Sequence, residues 1–157
     1  MSKQTKQQVP EWALNKMKKY CAFQERCVMD VRMKLQEFHL QDELNDAVIN
    51  KLMEEDYLNE ERYAKVFASG KFRINKWGRN KIYLALQEKR IPEFYILGGL
   101  NEIDEKEYRN QLRNIILKKN QQLKEPDFMK RNKKLANFAI SKGYEQSLVW
   151  DILNYRD

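Results

Sequence analysis

The chain has 157 residues, 42% apolar and 34% charged, with five glycines and three prolines. Threonine occurs once, at Thr5, and valine is scarce, which sets aside an all-β sandwich or a Val-rich parallel sheet and predicts an all-α protein. Thirty basic residues against 23 acidic ones give a net charge of +7 and a pI near 9.3, so the expected partners are polyanions or acidic surfaces.

The same inventory narrows the chemistry. His39 is the one histidine, so a His-rich metal site is excluded and a Ser-His-Asp triad would have to hang on a residue that reads as a helix end. The glycines form neither a Walker A loop nor a G-x-G-x-x-G turn. No cofactor is expected, and no enzyme. The apolar runs fall far short of the ~20 residues that span a bilayer, and no hydrophobic segment follows the basic N-terminus; a cytoplasmic protein without a membrane partner is expected. Cys21 and Cys27 lack the further Cys or His of a zinc site and read as reduced thiols serving as small core or boundary residues.

In chain order, the first residues, MSKQTKQQV, lack periodicity and predict a disordered polar tail through residue 11, with Pro10 near the first helical turn. An array follows. Val31, Leu35, Leu40, Leu44 and Ile49 set an apolar spacing that returns as Ile82, Leu86, Ile91, Tyr95 and Leu100, and again as Leu135, Ala139, Tyr144, Leu148 and Leu153. The third copy shows what the central residue does: Gly143 can adopt the left-handed conformation that ends a helix, and an apolar residue follows it. His39 and Arg90 hold that slot in the other copies, and Pro92 can open the helix after the second break. With a further helix ahead of each pair, the expectation is about nine helices in three three-helix units, at 12–56, 57–103 and 104–157, and no sheet.

The helix that opens the second unit is capped by Asn59. Tyr63, Val66, Phe67, Gly70 and Ile74 share one direction and read as its core stripe; Ala64, Ala68 and Phe72 form a second apolar strip, as a middle unit with two neighbours requires. Arg62, Lys65, Ser69, Arg73 and Lys76 make a basic stripe nearly four turns long on the remaining face. Charge is also blocked along the chain: residues 41–61 carry a net −7, 62–92 a net +8 and 113–142 a net +7. One reading is helices that balance one another across unit boundaries. The other is a basic surface for a polyanion, built from Arg62, Lys65, Arg73, Lys76, Arg79 and Lys81 in the second unit and Lys118, Lys119, Lys130, Arg131, Lys133 and Lys134 in the third. Phe72 or Trp77 would then stack or wedge, while Trp77 serves equally well as a core aromatic.

The run Tyr57-Leu58-Asn59-Glu60-Glu61-Arg62-Tyr63-Ala64, with Phe67 one turn on, resembles the signature of the RecX regulatory proteins. So does the array of three-helix units with its turns at His39-Leu40, Arg90-Ile91 and Gly143-Tyr144. The likeness covers about residues 12–157; the family usually has glycine where His39 and Arg90 stand, and more glycine and proline near Lys76-Trp77-Gly78-Arg79. The resemblance implies a non-enzymatic modulator, expected as a monomer, that lies in the groove of the RecA filament and inhibits ATP hydrolysis, strand exchange and filament growth, with weak, non-specific binding to single-stranded or duplex DNA. A direct DNA-binding protein of helix-turn-helix type, independent of RecA, is the competing expectation; the scarcity of short polar residues on the stripe argues against base reading.

Overall fold

A computed structural model describes residues 8–155. Among the described residues there are nine α-helices and no strand: α1 (Glu11–Phe23), α2 (Val28–Leu35), α3 (Asp42–Glu54), α4 (Glu60–Arg73), α5 (Arg79–Glu88), α6 (Glu93–Asn101), α7 (Glu105–Gln122), α8 (Phe128–Ser141) and α9 (Gln146–Asn154). One 3₁₀ turn, Gln36–Phe38, extends α2. Most of the expected tail lies outside the described residues; α1 begins at Glu11 with Pro10 at its N-cap.

The local signals for these helices are short polar caps. Asn59, Asp104 and Asp127 each accept a hydrogen bond from the backbone amide three residues on, at 2.9 to 3.0 Å, opening α4, α7 and α8. The ends are left-handed turns. His39, Arg90 and Gly143 have φ of 56°, 57° and 101°, so all three equivalent slots take a positive φ although only one holds glycine. After two of them the amide of the following apolar residue returns to a carbonyl five residues back, Ile91 to Leu86 and Tyr144 to Ala139, each at 3.2 Å. Asp56 and Lys76, with φ of 63° and 62°, end α3 and α4 similarly; aspartate tolerates that conformation better than lysine does.

Every position of the repeated apolar pattern is buried or half-buried. The core falls into two parts. Ala13, Met17, Val31, Leu35, Val48 and Leu52 join α1, α2 and α3, while a continuous core runs from Tyr63 to Leu153 and takes in Cys27. Helices α4 to α9 therefore share one interior.

The expected core stripe of α4 is corrected. Val66 is 52% and Ile74 80% exposed, whereas Tyr63, Ala64, Ala68 and Phe72 are buried. The reason is how closely α6 approaches: a Cβ on Gly99 would lie 2.7 Å from the Ala64 carbonyl oxygen, so the small residues of α4 face that contact and the larger Val66 is turned outward. Phe72 is thus unavailable for stacking on a ligand; its ring packs on Tyr108 of α7, centroids 5.9 Å apart. The stripe is also shorter than expected, because α4 ends at Arg73 and Lys76 stands in the turn beyond it.

Candidate nucleic-acid interface

The joint between the second and third three-helix groups positions the basic residues. Gly78 packs against the α8–α9 turn so closely that a Cβ would fall 2.3 Å from the Gly143 carbonyl carbon. The Gly78 amide donates to Lys142 O at 2.8 Å and the Asn80 amide to Gly143 O at 2.9 Å. Beside this crossing, Gln111 Nε2 donates to Phe72 O and to the Tyr144 hydroxyl, both at 2.9 Å, and that hydroxyl donates to Lys76 O at 3.0 Å. The backbone on either side of Lys76 and Trp77 is therefore held from α7 and from the α8–α9 turn.

The basic stripe of α4 does not stand free. Arg62 donates to Glu25 at 2.6 Å and to Asp56 at 3.1 Å, and hydrogen bonding to Glu25 is the main cause raising its pKa. Lys65 lies between Glu61 and Glu102 at 3.6 and 3.4 Å, and Arg73 lies 3.4 Å from Glu107. No acid interrupts the stripe in sequence, but acids from other elements close on it in space. Arg79 is more deeply committed: its guanidinium lies 3.8 Å from the Tyr108 ring centroid, bonds Glu145 at 2.9 Å and Glu105, and its amide donates to the Tyr108 hydroxyl. Tyr108 in turn donates to Glu145; burial first, and that hydrogen bond second, push its phenol pKa up. Arg131 is a structural residue too, binding Asn120 and Glu125 backbone oxygens across the α7–α8 connection, and Lys134 pairs with Glu125 at 2.9 Å.

What remains gathers between α7, α8 and the α4–α5 turn. Lys76, Lys118, Lys119 and Lys142 line a groove of about 250 Å³ with Ile115 and Phe138, and no carboxylate lines it. The groove continues past Asn110, Gln111 and Asn114 into a second space of about 380 Å³, whose wall includes one carboxylate, Glu107, paired with Arg73. Lys119 sits 4.8 Å over the Phe138 ring, and Lys142 Nζ reaches Asn75 O at 3.3 Å. One step away the half-buried Trp77 ring is flanked by Lys71 and Lys81 at 4.9 and 4.6 Å. Lys130 and Lys133 are exposed on α8 without an ion pair among the described residues.

Of the sequence candidates the groove thus unites Lys76, Lys118 and Lys119, with Lys81 and Trp77 adjoining; it does not take in Arg62, Lys65, Phe72, Arg73, Arg79, Lys130, Arg131, Lys133 or Lys134. Lys142 and Lys71 were not singled out, and nothing in their local spacing marks them: the close crossing of Gly78 and Gly143 brings Lys142 to the groove. Four ammonium groups without a carboxylate favour an extended anion over a protein acid or a small neutral ligand.

Cys21 and Cys27 are free and buried; burial pushes both thiols up to about 11, so neither is a thiolate near neutral pH. Among the described residues no group of three or more His, Cys, Asp or Glu is placed to hold a metal, and no helix is long and apolar enough to cross a membrane.

The arrangement has relatives. Residues 59–97 match RecX, second three-helix domain, and residues 106–153 match RecX, third three-helix domain, together more than half of the chain. Regulatory protein RecX of Clostridium acetobutylicum is 30% identical over 128 residues, covering 79% of this chain and 59% of that protein. Its namesake in Clostridium perfringens is 35% identical over 118 residues, covering 74% and 55%. The chain thus spans little more than half the length of these relatives. The fold superposes on the crystal structure of RecX from Lactobacillus salivarius with a TM-score of 0.84 at 19% identity, over 92% of this chain and 94% of that one. A second crystal structure, of regulatory protein RecX, gives 0.83 at 21% identity, over 92% and 72%. Domain matches, sequence relatives and the three-helix architecture agree, and the chain belongs to the RecX family.

Proposed function

We propose that this protein regulates the RecA recombinase by lying along the groove of the RecA–DNA filament and lowering its ATPase, strand exchange and filament growth, so acting in the control of recombination and repair. It acts as a cytoplasmic monomer and by occupancy, without catalysis. The observation that carries the reading is the four-lysine groove on a RecX-family array: a row of helical groups offers a long surface, and the groove gives that surface a place for phosphates. Lys76, Lys118 and Lys119 are the contact, with Lys81, Trp77, Lys130 and Lys133 extending it; Arg62, Arg79 and Arg131 hold the scaffold. The functional units are 12–56, 57–103 and 104–157, the second and third presenting the groove between them. Binding to DNA without RecA is weak and indifferent to sequence, because ammonium groups read charge and not base edges.

The test is RecA ATPase on single-stranded DNA, titrated with this protein. A saturable fall in rate is expected; an unchanged rate at a stoichiometric excess over RecA contradicts the reading.

A further inference from the structure

The outer face of α6 carries a surface whose chemistry is the reverse of the lysine groove. Phe94 is 80% and Leu97 52% exposed, and a Cβ on Gly98 would meet nothing within 4 Å. Phe94, Leu97, Leu100 and Ile103 line a groove of about 840 Å³ whose rim includes Asp104 and Glu105. Across the ridge of Phe94 and Gly98 a smaller groove is rimmed by Glu61 and Glu102. The two cations at these rims are already committed, Lys65 to Glu61 and Glu102, and Arg79 to Glu105 and Glu145. Arg109 also bonds Glu105, at 3.1 Å, so the four rim carboxylates face three cations, each already paired, and the surface is mildly acidic on a chain that is +7 overall.

An apolar floor with an acidic rim repels phosphates. It suits a protein surface that presents a large apolar side chain between cations, since apolar contact supplies the centre of such an interface and charge complementarity its rim. Position links the two surfaces. Glu105 opens α7, and Lys118 and Lys119 lie in its last turns; at ~1.5 Å per residue the acidic rim and the lysines are about 20 Å apart on one rigid helix. A bare strand matches only one end of that helix.

We infer that the α6 groove docks a subunit of the protein coating a nucleic-acid strand, through an apolar side chain flanked by cations, while the lysine groove holds the strand's phosphates. The chain thereby recognises the coated strand as one ligand. This rests on the RecA reading above and adds the protein-facing surface to it.

Two variants separate the surfaces: Phe94→Ala with Leu97→Ala, and Lys76→Gln with Lys118→Gln and Lys119→Gln. Each is checked for helix content, then measured for binding to a labelled single-stranded oligonucleotide and for cosedimentation with RecA filaments on the same strand, assembled with a slowly hydrolysed ATP analogue. The α6 variant is expected to keep bare-strand affinity within twofold and to lose tenfold or more for the filament; the lysine variant is expected to lose both. Phe94→Ala alone should move in the same direction, and Phe94→Tyr should retain filament binding. An α6 variant with wild-type filament affinity overturns the inference, as does one that loses bare-strand affinity equally, or a wild-type protein that binds the filament no more tightly than the bare strand. Wild-type protein that binds filaments without lowering their ATPase would instead remove the inhibitory role and leave the α6 assignment standing.

Discussion

At the scale of single residues, the three equivalent turns make a controlled comparison. Gly143 sits at φ 101° with its Cα against Lys81 and Gly78, so Gly143→Ala adds a Cβ 2.4 Å from that of Lys81 on top of about 1–2 kcal/mol for a left-handed L-residue. Its denaturant midpoint should fall by the equivalent of at least about 2 kcal/mol. Arg90→Gly works the other way. It relieves the left-handed strain but frees the unfolded chain by about 0.5–1 kcal/mol, so it should stay within about 1 kcal/mol of wild type or above it. Equal losses in both variants would mean that backbone conformation does not govern these sites. Gly143 is legible from residue type; His39 and Arg90 become legible through their register with it. Asp56 and Lys76 belong to no such register; aspartate tolerates the left-handed conformation, and nothing local marks Lys76.

At the scale of elements, the apolar period was readable and the choice of face was not. Leu35 and Leu86 occupy matching positions in two copies and are fully buried in different cores; replacing either with Ala should cost about 2–5 kcal/mol by thermal or denaturant melting. On α4 the apolar arc is wide enough for two faces, and packing against α6, which depends on Gly99, decides between them. Charge behaved similarly. The basic stripe is periodic in sequence, but its partners Glu25, Glu102 and Glu107 come from elsewhere in the fold, so the balancing of helices across boundaries describes α4 better than a free basic face.

The contact between the first three-helix group and the rest makes a pH prediction of the same kind. Asp30 is pulled two ways: burial raises its pKa, but hydrogen bonds from Lys89, at 2.8 Å, and the Cys27 amide outweigh it and hold the carboxyl below its ordinary range. A native pKa depressed relative to the unfolded chain gives stability that is present above the unfolded value, about 3.9 for Asp, and lost as pH falls through the native one. Asp30→Asn should therefore be less stable than wild type at neutral pH, with a difference that narrows on acidification below about pH 4. Urea melts at several pH values measure this; a gap that widens in acid would contradict it.

At the scale of the whole molecule, the fold was legible in the sequence because a repeat multiplies a weak local signal, and blocked charge pointed to a polyanion. The proposed place of contact was not legible. It depends on Gly78 meeting Gly143, which sets Lys142 beside Lys76 and turns residues about 66 positions apart in the chain into one wall, on the order of one side chain's reach.

The most direct measurement compares the free lysines with the paired stripe in one assay. Lys76→Gln, Lys118→Gln and Lys119→Gln together, and Lys65→Gln with Arg73→Gln, are surface changes that should each leave stability within about 0.5 kcal/mol per site. Both are titrated into RecA ATPase on single-stranded DNA. The groove variant should need at least tenfold more protein than wild type for half-inhibition, and the stripe variant less than about threefold more, since its charges already have partners. Wild-type inhibition by a folded groove variant, with loss in the stripe variant, would contradict the assignment and return the contact to α4.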